Sequence, residues 1–215
     1  VTVLEPDVTF TDYGLAVECA VLAALARGAV RNRRLQPWCI LFFLSLGLAA
    51  LAGGTVHGFF PDEQSPGFRI LWPLALLAVG ATAVSAWAIG AHVLFHETGA
   101  TRIIAAAWMV FSIYAMVVLA GVQTFAVAIA HYAPSALFLL AAFAVRYAKT
   151  RIPQAGIGAA AVGVMLAAAV VQRAGVALHP AYFDHNALYH LLQAVALILF
   201  YLATRSPMDA STHGG

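Results

Sequence analysis

Charge is scarce in this chain. Asp, Glu, Lys and Arg make up 9% of its 215 residues, against roughly 25% in a soluble domain. That is too little to coat a globular surface, so a soluble enzyme, a nucleic-acid binder and a disordered chain are excluded. Lysine occurs once, at Lys149. A retinal protein needs a Schiff-base lysine within its seventh helix, and Lys149 falls in a loop between apolar runs. Cysteine occurs twice, as Cys19 and Cys39, both in or beside apolar stretches. Neither a disulfide framework nor a zinc ribbon can be built from them. Period-2 alternation is absent as well, which argues against a transmembrane β-barrel.

What is present in quantity is apolar sequence. Hydrophobic types reach 63%, and mean hydropathy is +0.89. The apolar residues fall into seven segments: Thr11–Ala29, Pro37–Phe60, Phe68–Phe95, Arg102–Ala120, Gln123–Ala148, Gln154–Val171 and Asn186–Thr204. Each is long enough, or nearly so, to cross about 30 Å of hydrocarbon as a helix. Backbone polar groups must be satisfied inside lipid, so helices are expected throughout. The sequence predicts an all-α membrane protein, a single seven-helix transmembrane domain spanning residues 1–215.

Loop charge sets the expected orientation. Arg27, Arg31, Arg33, Arg34, Arg102, Arg146, Lys149, Arg151 and Arg205 fall on one side, and only Arg69 and Arg173 on the other. That other side carries Glu5, Asp7, Asp12, Asp62, Glu63 and Asp184. The positive-inside rule then puts the N-terminus outside and the C-terminus inside. The expected location is the plasma membrane, the inner membrane of a bacterium. The acidic stretch before the first segment is unlike a signal-peptide n-region, and no cleavage is expected there.

Ionisable residues inside a membrane are functional candidates by default. Eight histidines are available. His57, in GGTVHGFF, ends the second segment on the outer side. His185 and His190, in FDHNALYHLLQ, flank the outer start of the seventh. His131 lies about two turns below the outer end of the fifth. Such a group could bind zinc, since imidazole is a common ligand and a catalytic site needs about three protein ligands. Asn186, His190 and Gln193 are spaced i, i+4, i+7 and form one polar stripe on an apolar helix. His185 can join them only if it lies outside the helix, at the cap. Gly53, Gly54 and Gly58 flank His57, and small residues would let a neighbouring helix carry it into the bundle. The bland alternative is that these histidines bond loop carbonyls at headgroup depth. The pair His92 and His96, at the inner end of the third segment, reads as ordinary boundary polarity. Glu18, in the first segment, either faces the same cavity or is protonated and bonded across helices.

Seven helices, His57 at the outer end of helix two and the motif ending in His190 on helix seven resemble the CREST superfamily. That group includes the alkaline ceramidases and the progestin/adipoQ receptors. The resemblance implies zinc held by one helix-two histidine, two helix-seven histidines in an HxxxH pattern and a nearby aspartate. A serine lies four residues before the helix-two histidine. His57 and His190 match two ligand positions. Asn186 stands at the first helix-seven position, with His185 beside it, and Gly53 stands at the serine. Asp62 and Glu63 lie in the loop where the aspartate is sought. The implied activity is hydrolysis of a lipid amide or ester entering from the bilayer. His57, His190 and His185 would be the ligands, Asp184 or Asp62 a further ligand or base, and Asn186 or Thr55 would orient the carbonyl. The metal would lower the pKa of a bound water. No nucleic-acid partner is expected. Two rivals keep the same topology. One is a non-catalytic sensor or scaffold. The other is a haem carrier, with His57 or His190 and His131 as axial ligands.

Overall fold

The computed structural model describes residues 3–179 and 182–205. Seven helices appear in it: α1 Pro6–Ala29, α2 Gln36–Phe59, α3 Pro66–Leu94, α4 Glu97–Leu119, α5 Phe125–Thr150, α6 Pro153–Arg173 and α7 His185–Thr204. All seven are long and apolar enough to cross a membrane. The shortest, α7, has 20 residues, about 30 Å. Among the described residues there is no strand, only an isolated bridge between His179 and Phe183 in the α6–α7 loop.

Local chemistry marks the helix starts. Proline opens α1, α2, α3 and α6 within their first two positions, where its missing N–H costs no bond. Ser65 caps α3 by accepting from the Phe68 N–H. Asp184 caps α7, accepting from the N–H groups of Asn186 and Ala187. Gly121 and Gly175, with φ of 101° and 69°, take the left-handed turns after α4 and α6, where a Cβ would be strained.

Helices α1, α2, α3, α5, α6 and α7 pack in that order into a closed ring, with α7 returning to α1. Helix α4 lies outside it against α3 and touches α5 only marginally. Helix α3 is the most buried because its faces are small: Ala75, Ala78, Gly80, Ala83, Ala86 and Gly90 are all buried. A Cβ at Gly80 would meet Tyr114 and Phe111 of α4, and one at Gly90 would meet Phe138 of α5. These close approaches let α3 serve three neighbours at once.

The interior differs between the two ends. At the basic end, Phe42, Phe43, Phe143 and Phe200 are fully buried and interlock, with Phe42 and Phe200 centroids 4.7 Å apart. Toward the acidic end the interior turns polar, with Asp12, His190, Gln193 and Thr9 all buried.

Helices α1 and α2 approach closely beside that polar region. A Cβ at Gly54 would stand 2.7 Å from Asp12 Cβ, and one at Gly58 2.8 Å from Thr9 Oγ1. Replacing Gly54 by Ala is expected to destabilise the bundle by about 1–3 kcal/mol, the cost of overpacking. Gly163→Ala, with nothing within 4 Å of the new methyl, is the control and should be neutral or slightly stabilising. Thermal unfolding in detergent checks the pair; equal behaviour of the two would contradict the close contact.

Candidate functional site

Helix α1 begins one turn earlier than its hydropathy suggests. The segment from Glu5 to Asp12 thereby becomes a helix start rather than an acidic tail, and its side chains reach both α2 and α7. The Leu4 N–H donates to the Gly58 carbonyl at 3.2 Å, which lays the chain over the end of α2. Glu5 Oε2 then meets His57 Nδ1 at 2.7 Å. Asp7 Oδ2 accepts from the Asp184 N–H at 3.1 Å, tying the starts of α1 and α7 together. One turn on, Thr11 Oγ1 lies 3.0 Å from His190 Nδ1, and Asp12 Oδ1 lies 3.2 Å from His190 Nε2.

Proton counting assigns the roles at His190. The Thr11 hydroxyl has one proton, donated to the Asp7 carbonyl at 2.7 Å with Val8 O at 3.0 Å. Toward His190 its oxygen therefore accepts, and Nδ1–H is the donor. Nε2 and the Asp12 carboxylate then share a single proton or a single cation. At His57 the donor is again Nδ1–H, because a carboxylate such as that of Glu5 only accepts. His57 and Asp184 are electrostatic neighbours of His190. The His190–Asp12 pair is almost fully enclosed, with side chains 10% and 8% exposed, whereas His57 is 37% exposed. Thr9 Oγ1, packed against Gly58, is buried without a hydrogen-bond partner.

The sequence-derived candidates fare differently. His57 and His190 do come to the same end, each held by the start of α1, through Glu5 and Thr11 respectively. The glycines at 53, 54 and 58 admit a neighbour as expected, and that neighbour is α1; His57 stays half-exposed beside it. The stripe on α7 splits. Asn186 Oδ1 accepts from Gln172 of α6 at 2.9 Å, and Gln193 Nε2 donates to Met165 O of α6 at 3.5 Å. Only His190 turns to α1. Asp184 is taken up by capping α7, and Asn186 also donates to it at 3.3 Å. His185 is already the first helical residue, and its Nδ1 lies 3.8 Å from Asp184 Oδ2. Asp62 is exposed in the α2–α3 turn, accepting from the Gln64 N–H. Among the described residues no three His, Cys, Asp or Glu side chains form a ready-made metal-binding group.

The remaining polar candidates lie apart. His131 stacks on Tyr114 with centroids 4.3 Å apart, while its Nε2 is buried without a partner. Glu18 keeps one buried oxygen unpartnered. His92 and His96 do not share a helix face, because α3 ends at Leu94 and His96 is the N-cap of α4.

Asp12 and Thr11 were the residues that sequence reasoning passed over. A signal existed: Asp12, Leu15, Cys19 and Leu22 follow helical spacing, and Pro6 is a natural first residue.

Residues 8–209 match a family described only as a family of unknown function, DUF6962. The chain belongs to the DUF6962 family. The matched span contains Thr11, Asp12, His57 and His190 of this DUF6962 chain, and Glu5 precedes it. No curated protein and no solved structure matches it.

Proposed function

We propose that this DUF6962 protein is an integral membrane protein of the plasma membrane, with its acidic end outside and basic end inside. At the acidic end Asp12, His190 and His57 bind zinc and serve hydrolysis of a lipid amide or ester. The observation that carries the reading is the donor arrangement. His190 Nε2 and Asp12 Oδ1 lie 3.2 Å apart, close to the roughly 3.3 Å edge of a tetrahedron with ligands near 2.0 Å. Both histidines hold Nδ1 on an oxygen acceptor, Thr11 and Glu5, as zinc-ligating histidines do when Nε2 is the donor atom. His57 supplies the third donor on moving from its half-exposed position toward the pair. The resemblance to the CREST superfamily favours the same chemistry.

Zinc would supply a bound water of lowered pKa. The chain's own groups do the rest. Glu5 and Thr11 fix the two imidazole tautomers. The phenylalanine plug below limits entry to the acidic end and the surrounding lipid. The orphaned Thr9 hydroxyl is a donor available to a bound oxygen.

A second reading has one observation in its favour: both nitrogens of His190 already have protein partners. In that reading the pair fastens α7 to α1 in a non-catalytic sensor or scaffold. The test is release of fatty acid from ceramide and from diacylglycerol in vesicles containing the zinc-loaded protein. Release that falls at least a hundredfold in Asp12→Ala and His57→Ala, as expected when metal ligation is lost, supports the hydrolase. No release, or release indifferent to both variants, leaves the clamp.

A further inference from the structure

Helix α1 packs on α2 and α7, and its remaining face is bare. Phe10, Val17 and Val21 on that face are 64%, 65% and 52% exposed, and Gly14, Ala24 and Gly28 are exposed beside them. These six recur at alternating spacings of four and three residues, the 3.5-residue period of a helix-pair seam. A Cβ at Gly14 or Gly28 would meet nothing within 4 Å, so a second helix can come close at both. A polar side chain flanks the seam on each side. Glu18, at the middle of the 24-residue α1, is half-buried, and its Oε1 has no hydrogen-bond partner. An ionisable group at that depth is costly unless it is paired. Tyr13, on the α2 side, places its hydroxyl 3.1 Å from Thr55 Oγ1. Thr55 spends its one hydroxyl proton on the Leu51 carbonyl at 2.6 Å. Tyr13 O–H is therefore the donor to Thr55, and the Tyr13 oxygen keeps room to accept.

We propose that this face of α1 docks a second copy of the chain, with Glu18 of each copy bonded to Tyr13 of the other. Copies inserted by the same charge rule share one orientation, so their α1 helices run parallel about a two-fold axis. In a parallel pair built on this seam, Gly14, Val21 and Gly28 take the a positions and Phe10, Val17 and Ala24 the d positions. Tyr13 then falls at g and Glu18 at the following e, the two positions that meet across such a pair. In its acid form Glu18 has an O–H to give, and Tyr13 has an oxygen to receive it; the two-fold makes the contact twice. Acyl chains would cover the apolar stripe equally well, but they offer the carboxyl nothing. This inference is independent of the chemistry at the acidic end.

The test is energy transfer between donor- and acceptor-labelled full-length chains in phospholipid vesicles, over a range of protein-to-lipid ratios. The wild type should dimerise, and Glu18→Leu should weaken the dimer about tenfold by removing both cross-copy hydrogen bonds. Glu18→Gln should stay within about twofold, because its amide still donates. Gly14→Leu, which has room in the single chain, should also weaken the dimer by blocking the close approach, and it carries the test should Glu18→Leu not fold. Cross-linking locates the face: Val17→Cys should couple to itself with a short bis-maleimide, and Val195→Cys, 50% exposed on α7, should not. The native Cys19 and Cys39 are buried. A wild type that stays monomeric at every ratio, which would leave the face to lipid, overturns the proposal. So does equal cross-linking at the two positions, or a dimer indifferent to both Glu18→Leu and Gly14→Leu.

Discussion

Removing His190 alone, or Asp12 alone, is expected to lower the stability of the bundle by about 3 kcal/mol or more, the range for breaking one side of a buried pair. Both groups are nearly enclosed, so the survivor of either deletion keeps a polar atom out of water with no partner. Replacing both residues by apolar ones of similar size, Asp12→Leu with His190→Leu, removes the orphan along with the interaction. The double variant is therefore expected to be less destabilised than the two single changes summed. Denaturation in detergent, run as a double-mutant cycle, measures the coupling. A coupling near zero would mean that the 3.2 Å contact contributes nothing. Gln193→Leu serves as reference, because its 3.5 Å bond to Met165 O is long and its loss should cost much less.

The second large effect concerns the residues behind the ligands. Glu5→Gln keeps size and polarity at His57 Nδ1 but removes the charge. Thr11→Val keeps shape at His190 Nδ1 but removes the acceptor. Each is expected to weaken zinc binding about 10- to 100-fold, the usual cost of losing an outer-shell partner of a ligating histidine. Competition with a chelating dye gives the affinity. Neither residue touches the metal in the proposed arrangement, so an unchanged affinity in both variants would detach these hydrogen bonds from metal binding. Asp184→Asn is a useful contrast, since that carboxylate is engaged in capping α7 and its loss should weaken the helix start rather than the metal.

The helices were legible because burial in lipid and burial in a helical interior ask the same thing of sequence: about 20 apolar residues in a row. Their packing was not. Nothing in hydropathy says that α4 stands outside the ring, because Met109, Ile113 and Met116 are apolar whether they face lipid or protein; in the structure they are exposed. The site was half legible. His57 and His190 stood out as polar residues in apolar helices. Asp12 did not, because at the second position of the expected first segment, five residues after Asp7, it reads as outer-side acidic charge. Only the start of α1 at Pro6 turns it inward. His185 neighbours the motif in sequence, but Asp184 caps the helix in front of it, so His185 is already helical and lies five residues from His190, about 140° around the axis. His92 and His96 are four residues apart, but the chain breaks at Phe95, so that spacing is not the spacing of one continuous helix.

Elemental analysis of the chelator-free, detergent-purified protein, wild type beside Asp12→Ala, tests the central claim most directly. The account predicts about one zinc per chain in the wild type and almost none in the variant. A folded wild type with no bound metal after incubation with zinc, or an Asp12→Ala variant that holds zinc equally well, would contradict it.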